Sequence, residues 1–82
     1  MARTDCAKGA WTTLADLAAA TQVFAPGQGV WYSTDAAQPA DYSAGIPLPS
    51  NASVVISSGL PIHIWAPDGG VGLTVAVIHQ RI

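Results

Sequence analysis

Residues 60–78 read LPIHIWAPDGGVGLTVAVI, and within them two alternating runs flank a turn. In the first run, Ile62 and Ile64 share one face while His63 and Trp65 share the other. In the second, Val71, Leu73, Val75 and Val77 line one face, and Gly72, Thr74, Ala76 and Ile78 line the opposite one. Alternation in β-branched and aromatic residues marks half-buried strands, because successive side chains leave a strand on opposite sides. The break at Ala66-Pro67-Asp68-Gly69-Gly70 supplies turn chemistry, so the stretch predicts a β-hairpin whose valine face forms the core.

Working outward, the same alternation recurs at short intervals. Residues 53–57 place Val54 and Ile56 on one face, after a turn at Ser50-Asn51-Ala52 and before another at Ser58-Gly59. Residues 30–34 place Val30 and Tyr32 against Trp31 and Ser33, after the Pro-Gly turn of residues 25–29. Residues 11–14 predict a short edge strand. Residues 17–24 admit two readings: a helix with Leu14, Leu17 and Ala18 on one face, or a strand ending in Thr21-Gln22-Val23-Phe24. The strand is preferred because its neighbours in the chain are β-like. Between strands, residues 35–49 carry Pro39, Gly45, Pro47 and Pro49 and predict a long surface loop. Its length fits either a crossover between two sheets or a functional loop. Residues 1–9 are polar and mixed in charge, without periodicity, and predict a flexible N-terminal arm. The expectation is therefore one all-β domain over residues 10–82. It would be a small antiparallel sandwich or barrel of five to six short strands.

Composition narrows the function. A chain of 82 residues buries only roughly 60% of its unfolded surface, so its core needs support. A single cysteine, Cys6, rules out an intrachain disulfide, and Cys6, His63 and His79 lack zinc-ligand spacing. Oligomerisation is the remaining support. Charged residues make up 10% of the chain, against about 25% in a typical domain, so the surface must present neutral and apolar area suited to burial. A net charge of −2 disfavours nucleic acid. No apolar run is long enough to span a bilayer and no signal-peptide pattern follows Arg3, so synthesis in the cytoplasm is expected.

No constellation points to catalysis. Ser57-Ser58-Gly59 lacks the nucleophile-elbow pattern and fits a turn. Asp16, Asp35, Asp41 and Asp68 match neither a paired-acid nor a calcium-loop spacing. Asn51-Ala52-Ser53 matches a glycosylation sequon but sits in a turn of a chain with no leader pattern. His63 fits a half-exposed strand position, and His79 the wet end of the valine face. Cys6 has no neighbour in sequence that would activate it. Trp11, Trp31, Trp65, Tyr32 and Tyr42 suit core and interface packing, with a carbohydrate-binding platform of Trp31, Trp65 and Tyr42 as the alternative. The chain is expected to be non-enzymatic, with no cofactor and no metal.

Gly9-Ala10-Trp11-Thr12, the strand of residues 30–34, Pro39 in the loop after it, and Ile64-Trp65-Ala66 before a Gly-rich turn and a Val-rich strand form an ordered set. In that order the chain, over roughly residues 9–79, resembles small all-β virion structural proteins of tailed bacteriophages, the capsid decoration or cement type. The alanine-rich residues 17–20 and the Pro-rich middle loop depart from that pattern. The resemblance implies a head decoration protein, with a tail, neck or fibre component as the alternative. It implies a homo-oligomer, such as a trimer, bound to the major capsid protein or another virion protein, located in the virion, without nucleic acid or membrane. Candidate partner contacts are Arg3 and Lys8 in the arm, Asp41 and Tyr42 in the loop, and Trp31 and Trp65.

Overall fold

A computed structural model describes residues 2–14, 19–69 and 72–82, and among these residues there are eight strands and one short 3-10 helix. The strands are β1 (Ala2–Ala7), β2 (Trp11–Leu14), β3 (Thr21–Phe24), β4 (Val30–Ser33), β5 (Ile46–Leu48), β6 (Ser53–Ile56), β7 (Ile62–Trp65) and β8 (Thr74–Arg81). The helix, η1, spans Tyr42–Ala44. Two four-stranded antiparallel sheets result, ordered β1-β8-β3-β6 and β2-β7-β4-β5. Of the expected sandwich or barrel, the sandwich is present, with more strands than the five or six expected.

The pairings nest: β1 with β8, β2 with β7, β3 with β6, and β4 with β5. Each connection crosses between sheets except β4 to β5, which stays within one. A doubled-over hairpin wound into two sheets in this way has the jelly-roll topology.

Period-two alternation sets the core. Cys6, Val75, Val77, Val23 and Ile56 point inward from the first sheet, and Leu14, Ile62, Ile64, Val30 and Leu48 from the second. Tyr32 and Val54 pack against this cluster. Burial of an aliphatic side chain contributes about 1.5–3 kcal/mol, so inward-facing positions dominate the stability of so small a domain.

Four expectations change. First, the stretch of residues 60–78 is not a hairpin. Its two strands, β7 and β8, belong to different sheets. Alternation records that each strand has one buried face; it does not record which strand lies beside it. Second, of the predicted core face, Val75 and Val77 are buried, but Leu73 is 87% exposed, one residue before β8 begins. Val71 lies outside the described residues.

Third, the N-terminal arm is strand β1. It pairs with β8 from Ala2↔His79 to Ala7↔Thr74, and Cys6 is fully buried. Only Thr4 and Cys6 face inward, so an edge strand with a polar outer face showed too few apolar residues to reveal its period. Fourth, residues 35–49 are not a crossover between sheets: they return the chain to the same sheet, and Ile46–Leu48 forms β5 against β4. Residues 21–24 form a strand, as preferred; Leu17 and Ala18 lie outside the described residues.

Two chain crossings run side by side at one corner of the sandwich. Lys8 forms a parallel bridge with Ala66, the Gly9 amide donates to the Ala66 carbonyl (2.7 Å), and the Lys8 amide donates to the Leu73 carbonyl (3.1 Å). Gly9 has φ +74°, and a Cβ there would stand 3.0 Å from an Asp68 carboxylate oxygen, so glycine suits this corner on both counts.

Candidate functional site: an aromatic ladder under a folded loop

The outer face of the second sheet carries two cross-strand rows. Register aligns Trp11, Trp65 and Trp31 across β2, β7 and β4, and Thr13, His63 and Ser33 one step along. This follows from sequence alternation, since Trp65 and His63 both oppose the inward Ile62 and Ile64. Cross-strand aromatic pairs contribute roughly 0.2–1 kcal/mol each. Trp11 and Trp65 meet edge to face, with centroids 5.7 Å apart and planes at 64°.

The loop between β4 and β5 folds back over both rows. Tyr42 stacks on Trp65 (5.8 Å, 24°) and meets Trp31 edge to face (5.7 Å, 66°). Asp41 holds this arrangement by capping η1, its Oδ1 accepting from the Ser43 amide at 3.1 Å. The Gly45 amide then donates to the Tyr42 carbonyl at 2.9 Å and closes the turn. A Cβ on Gly45 would lie 3.2 Å from the Trp11 ring, Trp31 Cβ and the Tyr32 carbonyl oxygen, so the loop descends onto the ladder at a point with no room for a side chain.

His63 is the loop's second anchor. It is 5% exposed, in contrast to the half-exposed strand position expected from the sequence. Nε2 lies 3.0 Å from the Asp35 carbonyl oxygen, and Nδ1 lies 2.9 Å from Thr13 Oγ1. A carbonyl can only accept, so Nε2 carries the proton and donates; in the neutral ring Nδ1 accepts from the Thr13 hydroxyl. The Asp35 amide in turn donates to Ser33 Oγ at 3.2 Å. Both ring nitrogens are thereby engaged in holding the start of the loop. The indole N–H of Trp11 is buried with no acceptor among the described residues.

Of the six candidate contacts, Trp31, Asp41, Tyr42 and Trp65 come together here, and Arg3 and Lys8 do not. Arg3 faces outward from β1 on the other sheet, its Nε 3.1 Å from Asp5 Oδ1. Lys8 sits at the corner, where its ammonium donates to the Gly69 carbonyl. His79 points inward at the end of β8 and meets the Thr4 hydroxyl at 3.0 Å. Trp11 was legible as an aromatic but not as a member of this cluster, because its neighbours Trp65 and Trp31 are distant in sequence.

Other features are plain. Cys6 is a buried free thiol. Burial pushes it above its ordinary value, a hydrogen bond from Thr12 acts the other way, and the nearby Asp5 charge adds to the rise. Among the described residues no group of His, Cys, Asp or Glu is placed to hold a metal ion. Gln22, Phe24, Ser53, Ile78, His79 and Gln80 of the first sheet line an open depression of about 430 Å³. Gln80 donates to Gln22 (3.2 Å), and Gln22 donates to Ser53 (3.4 Å). No family model, curated protein or solved structure matches this chain.

Proposed function

We propose that this chain is a structural virion protein of a tailed bacteriophage, acting as a capsid decoration or cementing protein that binds the outside of the shell as a homo-oligomer. The observation that carries this reading is the surface. Tyr42, Ile46, Val55, Leu60, Leu73 and Ile82 are all exposed in a chain with only three cations and five carboxylates. Such a surface suits docking against neutral partners more than free solution. The resemblance to small virion proteins agrees with it. Jelly-roll domains serve widely in virus shells, an analogy at the level of fold alone.

The mechanism is non-covalent clamping, many modest contacts repeated by symmetry so that avidity makes up for weak single sites. The loop of Asp41 and Tyr42, anchored on Trp31 and Trp65, offers one preorganised contact. Arg3 and Lys8 offer others from a folded strand and corner rather than from a loose arm. Mass spectrometry of purified particles tests this: a copy number comparable to the major shell protein is expected. Tens of copies or fewer would point to a tail, neck or fibre position, and absence would sink both virion readings.

A second reading draws on one specific observation. Tyr42 is 47% exposed and stacked on Trp65, a supported ring face of the kind that packs against a sugar. Glycan-array binding that disappears in Tyr42→Ala with the fold retained would favour a carbohydrate-binding module.

A further inference from the structure

We propose that β6 is the self-association edge of this protein, pairing antiparallel with β6 of a second copy about a twofold axis near Val55. This sharpens the oligomer part of the proposed function but stands on the sheet edge itself. Each sheet ends in two edge strands, and an edge presents a row of outward backbone donors and acceptors that must be guarded or used.

Three of the four edges are guarded or engaged. β1 carries the Arg3–Asp5 ion pair. β5 is three residues long, contains Pro47 and is followed by Pro49. β2 lies at the corner where the layers meet, in contact with β1. β6 differs: Ser53-Val54-Val55-Ile56 has no charge, no proline and no glycine, and no further strand pairs with it among the described residues.

The ladder shows which groups face out. The Ala25 amide donates to the Ala52 carbonyl (3.1 Å), and the Ala25 carbonyl accepts from the Asn51 amide (2.7 Å). Antiparallel hydrogen bonding alternates, so Val54 and Ile56 bond toward β3, while Ser53 and Val55 turn their N–H and C=O groups to the open edge. The Val55 side chain is 59% exposed on the outer face, and register places it opposite Gln22, one step from the Phe24–Ile78 pair.

A second copy is the fitting occupant. A neutral strand paired antiparallel with itself is self-complementary, and the twofold closes the assembly without leaving a new edge. Neither β6 nor its neighbour β3 carries a charge, so two copies with a net charge of −2 each meet there without like-charge repulsion. The product is a continuous eight-stranded sheet with the Phe24, Val55 and Ile78 surfaces of both copies side by side.

The test is sedimentation equilibrium over a concentration series on the full chain, with Val55→Lys and, as a control at an exposed position of β8, Thr74→Lys, and circular dichroism to check folding. We expect a monomer–dimer equilibrium, weakened at least tenfold by Val55→Lys and unchanged by Thr74→Lys. A chain that stays monomeric at millimolar concentration, or a dimer insensitive to Val55→Lys, overturns the proposal. Hydrogen exchange on the unmodified chain is a second readout: the Val55 amide should gain protection as concentration rises, and no gain overturns the proposal independently of any variant. These outcomes are separable from the particle test: a Val55-dependent dimer absent from particles fails only the virion reading, and an oligomer found on particles but insensitive to Val55→Lys fails only the β6 pairing.

Discussion

At the residue scale, two side chains on the outer face of the second sheet treat their enclosed polar atoms in opposite ways. His63 is enclosed, but both its nitrogens are bonded, to Thr13 and to the Asp35 carbonyl. His63→Ala should cost about 1–3 kcal/mol in urea denaturation, the usual penalty for orphaning buried partners. Trp11 is the opposite case, with an indole N–H that lacks an acceptor among the described residues. Trp11→Phe keeps an aromatic ring and removes that donor, so its midpoint should hold or rise, where Trp65→Phe has no such gain. Cys6 adds a pH dependence. Burial raises its thiol above the ordinary value of 9.0, the Thr12 hydrogen bond acts against it, and the Asp5 charge adds a smaller rise. The native state then keeps a proton that the unfolded chain has released, so stability is full below about pH 9.0 and falls as pH rises beyond it. Cys6→Ala should flatten that alkaline decline, read as the slope of the unfolding free energy between neutral and alkaline buffers.

The decisive unit at the element scale is the loop between β4 and β5. It is long for a compact domain, yet it is held by Asp41, by the Tyr42–Trp65 stack and by the Asp35 carbonyl on His63. Tyr42→Ala should therefore loosen the loop before it unfolds the domain. The expected loss is about 0.5–1.5 kcal/mol beyond the area term, with faster proteolysis within residues 35–45 as the local readout. Gly45→Ala tests the same unit sterically: its Cβ would meet backbone and two tryptophans at 3.2 Å, and it should destabilise by about 1–3 kcal/mol. That a loop was present here was legible from Pro39, Gly45, Pro47 and Pro49. That it folds onto the sheet was not, because Tyr42, Trp31 and Trp65 meet only once β4 and β7 are neighbours.

Nesting governs behaviour at the scale of the whole molecule. Only β4 and β5 pair locally; β1 must find β8 across nearly the full chain. Loop closure precedes most of the favourable contacts, so folding should be slow for a chain of this size, in milliseconds to seconds by stopped-flow fluorescence of the tryptophans. The first strand completes the structure instead of dangling from it. Deleting residues 2–7 removes Cys6 from the core and uncovers β8, and should abolish cooperative thermal unfolding, whereas a mere arm would leave the melting curve unchanged.

Alternation in Ile62-His63-Ile64-Trp65 and around Val75 and Val77 determined, from sequence alone, which residues face the core and that the chain is built of short strands with turns between them. Neutral composition determined a surface poor in charge. Both are local properties, since a strand's two faces and a residue's polarity do not depend on distant neighbours. Partnership was decided only by the tertiary structure. It sent the two halves of residues 60–78 into different sheets, turned the polar first residues into β1, and gathered Trp11, Trp31, Tyr42 and Trp65 into one cluster. Pairing is a contest among strands with the same period, settled by how all of them close around a single core, and no window of sequence contains that contest.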